Sequence, residues 1–211
     1  MADFEENGLD AASDFFRRYK RPLGIAAGAL LAVGAGTLLW QQSQATKLEN
    51  AEKAFFRAQS SGAQGNPALA AVDLEKVATR YAGTNAGDRA ALVVAQLLLE
   101  QGKTADAVTR LEKLRAGGGE GRLGATLPTV LAAAYENLQK PADAAREYEK
   151  AAALAPSPQE QAQRRADAAR AWQAAGQKAK AKEIWAALAK DDRSVLAQEA
   201  RVRLGEIEFA P

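Results

Sequence analysis

The pattern of apolar and polar positions divides the chain into one uncharged stretch and a long series of segments with helical spacing. Alanine supplies much of the 47% apolar content, and alanine favours helix. No run rich in Val, Ile or Thr alternates with polar residues as a strand would. The pattern therefore predicts an all-α protein.

The uncharged stretch, residues 23–40, reads LGIAAGALLAVGAGTLLW. As a helix it would measure about 27 Å, and one more residue at each end brings it near the roughly 30 Å hydrocarbon thickness of a bilayer. We predict one N-terminal transmembrane helix over residues 22–41. A buried core helix would show a polar face, which this stretch lacks. A cleaved signal peptide is the other alternative, since residues 43–45 resemble a cleavage site, but the long acidic leader argues against it.

The charges around this stretch predict its orientation. Four cations lie directly before it, namely Arg17, Arg18, Lys20 and Arg21, and the first cation after it is Lys47. Because positive charge stays inside, we expect residues 1–21 to be a cytoplasmic tail. Residues 42–211 would then form a domain across the membrane, which in a bacterium is the periplasm. The expected localisation is a single-pass protein of the bacterial inner membrane.

Small residues recur every four positions within the predicted span: Gly24, Gly28, Ala32 and Gly36. Such a stripe lets another transmembrane helix pack closely, and these four residues are our candidates for transmembrane packing. The alternative is that a span rich in Ala and Gly produces the stripe by chance.

After the span, the chain carries an internal repeat. Residues 128–156 read PTVLAAAYENLQKPADAAREYEKAAALAP. The positions that fit the tetratricopeptide spacing are Leu131, Ala132, Tyr135, Ala144, Tyr148, Ala151 and Pro156. Equivalent alanines fall at steps of 37, at Ala70, Ala107, Ala144 and Ala181. We predict an αα-solenoid of about four repeats, in which each helix pair buries its apolar face against its neighbours. An unrelated Ala-rich bundle is the alternative.

Large residues thirteen positions apart predict the core of each helix pair. Leu98 and Leu111 hold these positions in one repeat and Trp172 and Trp185 in the last, so we expect both tryptophans to be mostly buried. After the last repeat, SVLAQEARVRLGEIEF predicts one more helix. Its apolar face can cap the open end of the stack and consists of Leu196, Ala200, Leu204 and Ile207.

The sequence GEGRLG at residues 119–124 has the G-x-G-x-x-G spacing of a dinucleotide-binding loop. That fingerprint requires a strand before it and a βαβ unit around it, whereas here a helix precedes it. We interpret the glycines as ending one helix and turning the chain into the next, and Arg122 as a solvated loop residue.

Composition excludes several kinds of chemistry. The chain has no Cys and no His, which removes disulfides, thiol nucleophiles, imidazole bases and the usual zinc sites. Its 28 basic and 26 acidic residues are too balanced for a nucleic-acid surface. We expect no enzymatic activity, no catalytic residue, no metal or cofactor, and no small-molecule substrate.

The whole arrangement resembles the YfgM-like family, ancillary subunits of the SecYEG translocon. The similar segments are FFRRYKRPLG before the span and, after it, AEKAFFRAQ, LEKVATRYAGT, GDRAALVVAQLLLEQGKTADAVTRLE and AWQAAGQKAKAKEIWAAL. The resemblance implies a non-enzymatic, anchored protein–protein interaction scaffold that helps pass exported proteins to periplasmic chaperones. Its implied partners are SecYEG and a PpiD-like periplasmic chaperone. The alternative is another anchored tetratricopeptide scaffold, for envelope assembly or cytochrome maturation.

Partners of such repeats usually lie along the inner face formed by the first helix of each pair. Ordinary solvent-facing helix is the alternative for each single residue. On the repeat frame, the candidate groove consists of Phe55, Gln59, Arg89, Leu92, Gln96, Leu99, Glu100, Thr129, Glu136, Asn137, Arg170 and Gln173.

Overall fold

The computed structural model describes the backbone of residues 2–191 and 195–209, and the side chains of residues 30, 33–191 and 195–208. Within these residues the chain forms ten helices and no strand. The helices are α1 (Ala2–Ala63), α2 (Pro67–Arg80), α3 (Asn85–Glu100), α4 (Thr104–Ala116), α5 (Gly119–Leu123), α6 (Thr126–Asn137), α7 (Pro141–Leu154), α8 (Pro158–Ala174), α9 (Lys178–Ala189) and α10 (Ala197–Phe209). This confirms the predicted all-helical fold.

The chain divides into two compact units, Met1–Lys47 and Leu48–Pro211. In the described part of the chain, no helix combines the length and the apolar character needed to cross a bilayer. Half of the side chains of the predicted span 22–41 lie outside the described residues. Gly24, Gly28 and Ala32 of the predicted stripe are among the positions whose side-chain surroundings lie outside the described residues. Gly36 is exposed, with no atom within 4 Å of the place where a Cβ would lie.

The second unit is a series of helix pairs with the predicted 37-residue period. The residues of α1 from Leu48 onward pair with α2, and the later pairs are α3/α4, α6/α7 and α8/α9. The equivalent alanines on the second helix of each pair are all buried: Ala70, Ala107, Ala144 and Ala181. The predicted register of about four repeats is therefore confirmed.

Turns of one conformation join the two helices of every pair. A residue just after the first helix has a positive φ at Gly65, Gly102, Gln139 and Gly176, again at steps of 37. Each turn makes the two backbone hydrogen bonds of a Schellman motif, with donor–acceptor distances of 3.0 and 3.2 Å in the first turn and 2.8 and 3.0 Å in the second. Gln139 is the one non-glycine residue with a positive φ in the described part of the chain.

Three clusters of buried residues form the core of the second unit. The first joins α1, α2 and α3, the second joins α3, α4 and α6, and the third joins α6 to α10. Trp172 and Trp185 lie in the third cluster and are 1% and 0% exposed, as predicted. α10 and Leu196, the residue just before it, cover this end of the stack: Ala200 belongs to the third cluster, and Leu196, Leu204 and Ile207 pack against it. The predicted cap is therefore present.

Candidate protein-interaction surface

The first helix of each pair contributes to one face of the stack, which we call the inner face. It comprises the predicted groove positions on α1, α3, α6 and α8. In stacked helical repeats this is the concave surface used for binding. The structure divides the twelve predicted residues into buried residues, residues that bind other side chains, and free exposed residues.

Phe55 and Arg89 meet at the start of the inner face. Phe55 is buried in the first core cluster, and the guanidinium of Arg89 lies 4.3 Å from the centroid of its ring. Arg89 also pairs with Glu52 at 3.3 Å. The attraction of the cation to the aromatic face adds to the stabilisation from the ion pair. The buried Phe55 ring therefore helps to hold Arg89 and Glu52 together at the surface.

Three further predicted residues mainly support the fold. Leu92 is buried in the second cluster, and Leu99 is partly buried against it. The hydroxyl of Thr129 donates at 2.7 Å to the carbonyl of Ala125, the N-cap residue of its own helix. These three residues therefore contribute to a binding surface indirectly, by holding its backbone in place.

Glu136 and Gln173 accept hydrogen bonds from the aromatic core. The Tyr148 hydroxyl donates to Glu136 at 3.1 Å, and Nε1 of Trp185 donates to Gln173 at 3.0 Å. The two acceptors are 37 residues apart, and so are the two donors, so the bonds lie at equivalent positions of two repeats. Burial raises the pKa of the Tyr148 hydroxyl, and the Glu136 carboxylate raises it further. The hydroxyl therefore remains a donor at neutral pH.

A second pair of equivalent bonds links successive repeats. Nε1 of Trp172 donates to Glu149 at 2.8 Å, and the Tyr135 hydroxyl donates to Glu112 at 3.2 Å. Buried Tyr and Trp normally find a partner for their polar tip. Here the partner is always on a neighbouring helix, so each aromatic residue both fills the core and fixes the helices.

Arg170 ends the series beside α10. Its guanidinium pairs with Glu199 at 2.9 Å and with Asp167 at 2.7 Å, and it lies 5.8 Å from the ring centroid of Trp185. Arg170 and Gln173 are thus brought together around one tryptophan. This pairing attaches the capping helix to the inner face.

The remaining predicted residues are exposed polar side chains. None of them has a side-chain hydrogen bond or ion pair to another described residue. They are Gln59, Gln96, Glu100 and Asn137. Their amides and carboxylate can donate to and accept from a bound chain. These four are the predicted groove residues best placed to contact a partner, which remains a prediction.

A separate pocket lies between α2, α3, α4 and α5, and none of the twelve predicted groove residues lines it. Its volume is about 680 Å³. Small and apolar residues such as Ala78, Ala91 and Leu98 form part of its wall, and Arg110 spans it to pair with Glu75 at 2.8 Å. Sequence reasoning missed this pocket because it lies between the second helices of two repeats, where packing was expected.

Asp88 is buried beside this pocket and forms an ion pair with Arg122, whose side chain is partly exposed. Asp88 is 2% exposed, and its carboxylate binds the Arg122 guanidinium, which also donates to the carbonyl of Gly117 at 2.8 Å. Arg122 lies in the helix α5, so the interpretation of it as a loop residue was wrong, whereas its side chain is partly exposed to solvent as expected. A signal was present, because Asp88 interrupts a column of alanines at steps of 37: Ala51, Ala125 and Ala162.

The GEGRLG stretch forms the short helix α5 rather than an open loop. Gly118 before it has a φ of +80°, and a Cβ on Gly119 would lie 2.7 Å from the carbonyl oxygen of Leu114. Leu123 packs against the second core cluster. The glycines therefore allow a tight approach of α5 to α4, and a helix precedes them as predicted.

The stack built from these repeats matches a known family. Residues 13–208 match the family described as tetratricopeptide repeat-like domain. The chain belongs to this family. Its fold is typical of protein–protein interaction scaffolds without catalytic activity, and no His, Cys, Asp or Glu group among the described residues could hold a metal ion.

Solved structures with the same kind of repeat are similar to this chain. One is a crystal structure of nearly identical TPR-like repeats named for a kinesin light chain of Podosopora anserina. It is 19% identical to this chain with a TM-score of 0.55, and the match covers 74% of this chain and 84% of that one. A single-substitution variant of the same repeats is 18% identical with a TM-score of 0.55, covering 74% and 89%. A thermophilic TPR protein of Thermus thermophilus is 17% identical with a TM-score of 0.47, covering 88% and 95%. No curated protein matches the chain.

Proposed function

We propose that this tetratricopeptide protein is a membrane-anchored scaffold, an ancillary subunit of the SecYEG translocon that helps pass exported proteins to periplasmic chaperones. Residues 1–21 would be cytoplasmic, residues 22–41 would span the membrane, and residues 42–211 would lie in the periplasm. A PpiD-like chaperone and SecYEG are the proposed partners.

The observation that carries the anchoring is the exposure of large apolar side chains in α1. Leu30, Val33, Leu38, Leu39 and Trp40 are each between 64% and 74% exposed. Soluble proteins rarely leave so many neighbouring apolar side chains in water. A lipid environment around this helix would cover them, and a tryptophan at one end suits the membrane interface.

The observation that supports the scaffold role is the inner face of the second unit. Arg89, Arg170 and the aromatic hydrogen bonds hold its framework in place, while Gln96 and Asn137 remain free to bind. A rigid framework with free polar groups loses little conformational entropy on binding.

Cysteine labelling tests the topology, since the chain has no cysteine of its own. Ser13→Cys and Ser61→Cys are compared in intact spheroplasts with a membrane-impermeant maleimide. We expect only the cysteine at position 61 to react, and both to react after permeabilisation. Labelling at position 13 in intact spheroplasts would contradict the proposed orientation.

Photo-crosslinking in living cells tests the partners. A photoreactive residue replaces Gln96 on the inner face or, as the matched control, the exposed Arg146 on the outer helix α7. We expect SecY or a PpiD-like chaperone among the products at position 96 and not at position 146. Products from envelope-assembly or cytochrome-maturation proteins instead would favour the alternative scaffold.

A further inference from the structure

The N-terminal end of the helical stack, in the unit Leu48–Pro211, carries an apolar patch that the repeat register does not account for. The 37-residue period shows which residues of the first pair face the place of an absent preceding repeat. On α1, the equivalents of Lys53 and Arg57 in the next repeat are Ala90 and Val94, both buried against the first pair. This side of α1 therefore forms the end of the stack.

Most of this end is polar, as a terminal repeat requires for solubility. Glu49, Lys53, Arg57 and Ser60 stand where the next repeat has Ala86, Ala90, Val94 and Leu97. Glu49 and Lys53 also form an ion pair. The sequence thus replaces apolar residues by charged or polar ones at the place where the stack ends.

Phe56 is the exception on α1. Its equivalents, Val93 and Val130, pack against the preceding repeat in the first and second core clusters. Phe56 has no preceding repeat and is 73% exposed. A polar terminal face that keeps one large aromatic side chain retains a group suited to contact with another surface.

Two residues of α2 extend the patch. The α4 equivalents of Leu69 and Val72 are Asp106 and Thr109, which line the pocket on the side facing α2. Leu69 and Val72 therefore face the same absent repeat as Phe56, and they are 45% and 52% exposed. In α4 these positions are polar, so the apolar character belongs to the end of the stack and not to the repeat.

The charges around the patch indicate the occupant. Both signs are present, in the pair Glu49–Lys53 on α1 and the pair Asp73–Lys76 on α2, 2.9 Å apart in the second case. A two-fold interface uses the same surface on both subunits, so that surface must be self-complementary. A patch that carries each sign on each of two helices, around an apolar centre, meets this condition.

We propose that the N-terminal end face, formed by Phe56, Leu69, Val72 and the charged residues around them, binds a second copy of this chain in a two-fold dimer. Phe56 of each copy would be covered at the interface. The opposite end of the stack is closed by α10, so association stops at two copies.

Cysteine crosslinking of the full-length protein in detergent or in membranes tests this dimer. Arg57→Cys places a single thiol beside Phe56 on the end face, and Val202→Cys places one on exposed α10 as the control. Under mild oxidation we expect a disulfide-linked dimer with Arg57→Cys and little with Val202→Cys. Light scattering of the wild-type protein should give the mass of two chains.

Disruption of the patch separates this dimer from chance proximity in the membrane. In the Arg57→Cys background, Phe56→Asp should weaken dimerisation by at least about tenfold. Leu154→Asp, which changes an exposed leucine away from the end face, should leave the yield unchanged. The double change of Leu69 and Val72 to Asp should repeat the loss.

Three outcomes would overturn the proposal. They are the absence of a linked dimer at position 57, equal yields at positions 57 and 202, and a yield that survives Phe56→Asp. The last would assign the contact to the anchor or to another part of the chain. None of these outcomes depends on the translocon or on the compartment.

Discussion

The two halves of the helical stack fill the same repeat positions with different residues. The pairs α6/α7 and α8/α9 hold Tyr135, Tyr148, Trp172 and Trp185, and every polar tip donates to a neighbouring helix. At the equivalent positions, α3/α4 holds Leu98 and Leu111, which have no polar tip. There the pocket of about 680 Å³ separates α2 from α4.

This difference indicates a division of roles within one fold. In a repeat array, stability is close to a sum of each repeat's own stability and its contacts with neighbours. The half formed by α6 to α9, which we call the aromatic half, should therefore be the more stable one. The leucine half, which carries the pocket, the Asp88–Arg122 pair and the apolar end face, should open more easily.

We expect the largest difference in stability between substitutions of Trp172 and of Leu98, its equivalent two repeats earlier. Trp172→Ala should lower the free energy of unfolding by about 3–5 kcal/mol, because it opens a cavity in a closed site. Leu98→Ala should cost about 2 kcal/mol or less, since Leu98 is only partly buried beside an existing pocket. Urea unfolding of the full-length protein, followed by circular dichroism, measures both. Equal costs would remove the basis of the comparison.

The next effect concerns the ion pair that attaches α5 to the leucine half. Arg122→Ala leaves the buried Asp88 carboxylate without its cation and should cost about 2 kcal/mol. Asp88→Ala restores the alanine column and should cost less, because Arg122 can then turn to solvent.

The double mutant completes this test. If the pair is coupled, Asp88→Ala should recover most of the loss in the Arg122→Ala background, with a coupling above about 1 kcal/mol. Strictly additive costs would mean that the two residues stabilise the fold independently.

The smallest effect concerns the turn at Gln139 in the aromatic half. Gln139 adopts a positive φ of 56° where the other three turns have glycine. Gln139→Gly should raise stability by about 0.5–1 kcal/mol, because glycine has no Cβ to strain there. Gly102→Gln, the reverse change in the leucine half, should lower it by a similar amount. The shift in urea midpoint gives both values, and a loss of stability on Gln139→Gly would contradict the equivalence of the turns.

Sequence periodicity was sufficient to predict the helix pairs, the buried alanines, the two buried tryptophans and the capping helix. These follow from spacing along the chain, since residues at steps of 37 meet the same environment. The turn at Gln139 follows from the same spacing, because three of the four equivalent turn positions hold glycine.

Contacts between distant helices could not be predicted in this way. The repeat period marks Asp88 as unusual, but its partner Arg122 reaches it only because α5 folds back toward α3, which no local pattern specifies. The acceptors Glu136 and Gln173 were predicted to line a groove, yet their partners lie on the following helix. The pocket between α2 and α4 depends on the distance between the two helices, and the sequence of neither helix specifies that distance.

Amide hydrogen exchange on the intact protein tests the account most directly. Mass spectrometry resolves protection helix by helix, and slow exchange reports high local opening free energy. We expect α7, α8 and α9 to be the most protected helices, and α2, α4 and α5 to exchange at least about tenfold faster. Uniform protection along the stack, or greater protection in α2 and α4 than in α8 and α9, would contradict the division into a more stable aromatic half and a more easily opened leucine half.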